Sequence, residues 1–466
     1  MVAIALLSKS DQEYLQKCAT QLHFAYGIII GQKAEPGKYV IVHLAKNGDE
    51  DVDMPMPTDD SGLGHGPHKV EQIDMQALTN QMISAFKMIP GSFDVLGVFV
   101  TSVNAEIINE HSAEFKYAKR LLFDVHNLLK QGSASITLKE EPNTEYLYLA
   151  YSSSTKTAVC KMYNYVSNGG TFSPMDYRFV EKPFEWFTFE CNYEMDDVFP
   201  VVASDEKINI EMQFHNTIEW VRDYLQASEI FIQNETVEDS QLLETYVKRK
   251  RTNIKSTACM DDCFKASIFL PIKCLISKCV NPIQVREFNG TIHFQGTITS
   301  RIWCNPKNTL ADVKRFLRED IMRSLTARIQ VYCDGLTDPN VSNESIFISE
   351  PPRRVYFSIN TGHRPIQFSE YIFRGEAPTV AVAQAKQILD LDITVDSIVA
   401  DWEGLAEDDA FNEETANSLD TSKQKVIKHS ERVSASRELT RAMYMLGIAV
   451  ALLVLVVSVV VQFILK

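Results

Sequence analysis

Apolar residues along the first 200 positions alternate between two spacings, a period of two and a period of about 3.6, and the changes of spacing mark out strands and helices. The run from Val2 to Leu7 predicts a first strand, and Tyr26–Ile30 and Tyr39–Leu44 predict two more joined through the Glu35-Pro36-Gly37 turn. Met75, Leu78, Met82, Phe86 and Ile89 recur at helical spacing until Pro90-Gly91, and a strand follows at Val95–Val100. Phe115, Ala118, Leu122, Val125 and Leu129 mark a second helix. Tyr146–Tyr151 and Ala158–Tyr163 alternate like paired strands, and Phe187, Phe189 and Cys191 alternate with Trp186, Thr188 and Glu190. Phe214, Ile218, Val221 and Leu225 close this half with a helix.

The second half repeats the logic. Ile292, Phe294, Ile298 and Ile302 alternate about Gly296, and Leu310, Val313, Leu317, Ile321 and Leu325 share a helix face. Val355, Phe357 and Ile359, then Ile366 and Phe368, read as a hairpin, with a last helix at about Thr379–Leu391. The pattern predicts an α+β chain with a domain over 1–230, an exposed linker over 231–262 and a second α+β domain over 263–400. The linker contains Lys248-Arg249-Lys250-Arg251, a basic cluster read as solvated surface. Residues 401–441 read as a spacer, acidic through Asp420 and basic after it.

The pattern ends in 24 uncharged positions. Ala442, Met443, Leu446, Ile448, Leu452, Leu455, Val459, Phe463 and Leu465 belong to a stretch, 442–465, long enough to cross a hydrocarbon core of about 30 Å. Lys428, Arg432, Arg437 and Arg441 supply the positive flank of a cytoplasmic face and suit anionic membrane lipid. Only Lys466 follows, so the expectation is a tail anchor with the bulk of the chain in the cytosol.

Composition narrows the chemistry. A formal charge of −15, with the basic residues gathered near the anchor, argues against a broad nucleic-acid interface. Nine scattered cysteines suit reduced thiols better than a disulfide framework. Cys259, Cys263, Cys274 and Cys279 place four thiols close together, a zinc candidate that departs from the tight spacing of zinc ribbons. His65 and His68 lack further ligands at fixed spacing. No phosphate-cradling glycine loop, nucleophile elbow or His-Glu-x-x-His occurs, so no catalytic residue and no cofactor are expected. A membrane-bound metal hydrolase, using His111 or His126 with nearby carboxylates, is the alternative. A fusion protein of the SNARE type would need heptads before the anchor, which Trp402–Asp420 does not carry.

Gly27-Ile-Ile-Ile-Gly31, the helix ending at Pro90-Gly91 and Asp94-Val-Leu-Gly-Val-Phe99 resemble the scaffold of MPN domains, the fold of the JAMM metalloproteases. Active members carry His-Ser-His-Pro after that strand. Here Val100 and Ser102 stand where the zinc-binding histidines would be, so the resemblance implies an inactive, scaffold-forming member that pairs with an active partner. The order of Tyr26–Gly31, Met88-Ile-Pro-Gly91, Val95–Phe99, the Gly290–Cys304 strand, Asp312-Val-Lys, Arg354-Val-Tyr-Phe357, the acidic segment and the terminal anchor resembles the odorant response abnormal 4 family. That resemblance implies a non-enzymatic adaptor of the endoplasmic reticulum and transport vesicles. Its implied partners are seven-transmembrane odorant or chemosensory receptors, bound for the cilium, and a protease specific for the ubiquitin-fold modifier.

Overall fold

Ser8 ends the first strand and starts the first helix with one side chain. Its hydroxyl accepts from the Asp11 N–H at 3.1 Å while the Asp11 carboxylate accepts from the Ser8 N–H at 2.7 Å, a reciprocal cap that satisfies two donors of the opening turn. Burial pushes the Asp11 carboxyl up to about 6, against the pull of the two Ser8 bonds. In the computed structural model of the chain, residues 3–48, 67–132, 143–181, 184–202, 210–253, 263–271, 288–337, 351–359, 365–400 and Glu403 are described.

The strands β1 (Ala3–Ser8), β2 (Phe24–Glu35), β3 (Lys38–Lys46), β4 (Asp94–Ser102), β5 (Glu145–Ser152), β6 (Thr157–Asn164) and β7 (Thr171–Val180) close into a barrel in the order β1-β3-β2-β4-β5-β6-β7. Closure is made by β1, which runs parallel to both β3 and β7. Both faces of the central strands are covered, and this explains why β2 and β4 read as near-continuous apolar runs. One face packs with the helices α2 (Met75–Met88) and α3 (Ala113–Gly132); the other packs with α1 (Lys9–Gln21). Gly97 lets β4 and β5 approach, since a Cβ there would lie 1.9 Å from the Leu147 carbonyl oxygen.

A second sheet has the order β11-β8-β10-β9, formed by β8 (Phe187–Val202), β9 (Glu229–Ile232), β10 (Cys263–Phe269) and β11 (Phe288–Cys304). Three helices pack against its apolar face: α4 (Ile210–Gln226), α5 (Leu243–Asn253) and the 28-residue α6 (Leu310–Thr337). A third, small sheet has the order β13-β12-β14, from β12 (Arg353–Ile359), β13 (Ile366–Ile372) and β14 (Ile398–Val399), and α7 (Thr379–Leu389) follows β13. The fold is α+β, with seven α-helices among the described residues.

Three expectations are corrected here. The segment 231–262 is not an exposed linker in its described part, because β9 pairs with β10, and Leu243, Tyr246 and Val247 of α5 are buried against the sheet. Their spacing places three apolar residues inward while Lys248 and Arg249 stay exposed on the same helix. The domain boundary falls with it. Strand β8, from the first expected domain, pairs with β10 and β11 from the second, and residues 1–404 form one compact unit. The spacer expected over 401–441 also begins differently, since Glu403 is buried and ion-paired. The expected span 442–465 and its basic flank lie outside the described residues. Among those described, no helix is long and apolar enough to cross a membrane.

Candidate functional site

Helix α6 assembles the most elaborate polar site of the fold. Its start is fixed by Thr309, whose hydroxyl accepts from the Asp312 N–H at 3.2 Å while the Asp312 carboxylate accepts from the Thr309 N–H at 3.0 Å. Leu310, Val313, Leu317, Ile321 and Leu325 then fill the core as their spacing predicts, all of them fully buried. Three polar residues among them, Asp320, Arg323 and Ser324, do not face water. Asp320 accepts from Arg354 of β12 through both carboxylate oxygens, at 2.9 and 3.2 Å, and from the Gly91 N–H at 2.8 Å. Burial opposes the charge of Arg354, and the Asp320 carboxylate outweighs it, holding the guanidinium above its ordinary range.

Gly91 is required at this contact. A Cβ there would come within 2.4 Å of the Asp320 backbone nitrogen. Arg323, one turn on, donates to the carbonyl oxygens of Ile89, Pro90 and Phe93 at 3.0, 2.9 and 3.2 Å and lies 3.7 Å over the Phe86 ring. These carbonyls lie between the end of α2 at Met88 and the start of β4 at Asp94, so the guanidinium pins the turn that joins the two elements. Burial holds Arg323 below its ordinary range. Arg318 does the same for the turn after α4, donating to the Ser228 carbonyl at 2.6 Å.

The barrel meets the second sheet through a matching set of buried amides. The Gln32 side chain donates to the Ser92 and Trp303 carbonyls at 2.9 and 3.1 Å and accepts from the Asn305 N–H at 3.1 Å. Ser92 accepts from the Trp303 N–H at 3.1 Å, and Asn308 donates to the Ala34 carbonyl at 3.3 Å. An open cleft of about 1170 Å³ lies beside this junction, between the β2–β3 hairpin and the helices α4 and α6. Phe86, Phe93 and Phe316 give it apolar wall, and its charges are largely paired: Lys33 with Glu145 at 3.2 Å, and Arg315 with Asp312 and Glu319 at 3.0 Å each. Its described lining carries neither cysteine nor histidine.

The residues singled out from sequence are not brought together. Val100 is buried in the apolar core, opposite Tyr26 and Ala150 on the neighbouring strands, and Ser102 accepts from the Asn104 N–H at 3.2 Å. His111 and His68 are exposed. His126 is buried: its Nδ1 lies 3.1 Å from the Asn143 carbonyl oxygen and 3.2 Å from the Tyr146 hydroxyl, and its ring stacks on Tyr165 at 3.6 Å. Burial holds that imidazole below its ordinary value. Cys263 sits on β10 with Sγ 3.8 Å from Glu190; Cys259, Cys274, Cys279 and His65 lie outside the described residues. Among those described, no three His, Cys, Asp or Glu side chains group as metal ligands.

What joins Met88–Gly91 to Arg354–Phe357 is therefore Asp320, and the family comparison covers all three. The sequence model described as odorant response abnormal 4-like matches residues 27–400. The chain belongs to the odorant response abnormal 4-like family. Within this odorant response abnormal 4-like span fall both sides of the junction, from Gln32 through Arg354. The chain is 47% identical to Protein odr-4 homolog of Drosophila melanogaster, over 99% of each chain. It is 23% identical to Protein odr-4 homolog of Homo sapiens, over 67% of this chain and 66% of that one. Among solved structures, UfSP from C. elegans aligns with a TM-score of 0.41 and 8% identity, covering 84% of this chain and 57% of that chain, a likeness too loose to carry an argument.

Proposed function

We propose that this chain is a non-enzymatic, tail-anchored membrane adaptor that helps seven-transmembrane odorant receptors leave the endoplasmic reticulum and reach the cilium. The observation that carries the reading is the similarity over 99% of both chains to a Protein odr-4 homolog, within a family described by abnormal odorant response. In this reading residues 442–465 span the membrane, Lys428, Arg432, Arg437 and Arg441 lie against its cytosolic headgroups, and the body faces the cytosol. The barrel acts as an MPN-like scaffold in which Val100 and Ser102 replace ligand positions. Its partner is a protease specific for the ubiquitin-fold modifier.

The test is affinity capture of the full-length chain from gently solubilised membranes, beside a chain truncated after Asp420, with co-purifying proteins identified by mass spectrometry. The adaptor reading expects the protease with both forms and the receptors with the anchored form alone. Capture of neither class by the full-length chain refutes it. Zinc measured in the same full-length preparation addresses the metal-hydrolase alternative, which requires about one ion per chain; the adaptor requires none.

A further inference from the structure

The described chain ends on a buried carboxylate. After α7, Leu391 and Ile393 still pack against the core that α2 and α3 share with the barrel. From Thr394 the hold weakens: residues 394–397 and 400 are exposed, and β14 makes only two ladder pairs, Ile398 with Phe357 and Val399 with Tyr356. Glu403 then returns to the interior, with a side chain 1% exposed. It accepts from the Thr299 N–H of β11 at 2.8 Å and from the Arg354 N–H of β12 at 3.1 Å, and it pairs with Arg328 of α6. Arg328 is itself fixed, donating to the Pro352 carbonyl at 2.8 Å beneath the Tyr371 ring. Three donors from three elements converge on one side chain, at the last residue but one of the compact unit.

We propose that Glu403 is a latch that holds the segment Thr394–Val399 against the folded body. With the carboxylate withdrawn, the two ladder pairs of β14 are the strand pairing left to hold Thr394–Val399 among the described residues. Withdrawal strands a buried guanidinium and two buried N–H groups without their acceptor, so the latch is shut at rest. The latch does not rest on the reading that 442–465 crosses a membrane, and its test reads backbone protection alone.

The experiment is hydrogen exchange by mass spectrometry on the full-length chain in detergent micelles, comparing native protein with Glu403→Ala and Glu403→Gln. In Glu403→Ala the amides of Thr299 and Arg354 and the peptide 394–400 should exchange about a hundredfold faster. In Glu403→Gln, which keeps an acceptor and loses the charge, the rise should be intermediate. Peptides from β2 and β4 should keep native protection in both variants. Unchanged protection of 394–400 in Glu403→Ala overturns the proposal. So does an equal rise across β2 and β4, which would make Glu403 a general core residue and not a local latch. If those results appear while receptor capture succeeds, the adaptor reading stands and the latch falls.

Discussion

Asparagine in place of Asp320 keeps the shape of the junction and removes its negative charge. Its amide oxygen can go on accepting from Gly91, but its NH₂ group then faces an Arg354 donor that the native carboxylate met at 2.9 Å. Arg354, 1% exposed, is left with the Ser369 hydroxyl at 2.8 Å and the rings of Tyr356 and Tyr371 at 5.2 and 6.0 Å. Breaking a buried ion pair from one side costs about 3–5 kcal/mol. The aromatic faces return about 1–2 kcal/mol of that. A net loss of about 2–3 kcal/mol follows, and with an unfolding entropy of about 2 cal/mol/K per residue over some 400 residues the Tm should fall by about 3 °C. Thermal unfolding of the full chain in mild detergent, followed by tryptophan fluorescence, measures it. The same assay on Asp320→Leu, Arg354→Met and the double variant gives the coupling, expected to exceed about 2 kcal/mol because the apolar pair leaves no stranded charge. A Tm within 1 °C of native for Asp320→Asn, or additivity of the two single changes within about 0.5 kcal/mol, would refute the claim that this pair ties the motifs together.

Gly97→Ala should prevent closure of the barrel, because the new methyl meets the backbone of β5 and not a side chain that can turn away; the soluble yield should collapse, whereas Gly48→Ala, whose methyl meets nothing nearer than 3.7 Å, should express normally. Arg323→Met removes three bonds to the carbonyls of the turn between α2 and β4 and should cost about 3 kcal/mol, read as a fall in Tm with the barrel still folded. His126 is held below its ordinary value by burial, so the unfolded chain takes up its proton first as pH falls; its contribution is whole above about 6.5 and is lost below it. The difference in Tm between native protein and His126→Phe should therefore shift against the native protein as pH falls from 7.5 to 5.5, measured at each pH so that the other buried groups cancel.

Much of the architecture was readable because its elements are sided. The stripes of α2, α3, α4 and α6 and the hairpin of β2 and β3 all follow from spacing, and most of the apolar residues named for them are buried. Met75 departs, being the exposed first residue of α2. Strand β7 was missed because Asp176 and Arg178 alternate with half-buried aromatics, and α1 because its signal is a cap, Ser8 with Asp11, and not a stripe. The linker reading failed at Leu243, Tyr246 and Val247, where four successive basic residues masked a three-residue apolar anchor. The junction could not be read at all. Asp320, Arg323 and Arg328 look like the solvated side of an amphipathic helix until their partners are known, and those partners lie as far as 234 residues away. Gly91 was quoted as a helix stop, and its second task, admitting Asp320, has no local signature.

That separation along the chain has a consequence in time. Gln32 finds its Trp303 partner 271 residues later, and Tyr14 meets Asp390 376 residues later. At about 5–20 residues per second of synthesis, Gln32 and Ser92 wait on the order of 10–55 s before the second sheet arrives to satisfy them. During that interval the nascent barrel presents an incomplete polar seam, and a fragment ending near residue 230 would present it permanently. The N-terminal half should therefore depend on protection by chaperones during translation, to a degree that a barrel complete in its own contacts would not.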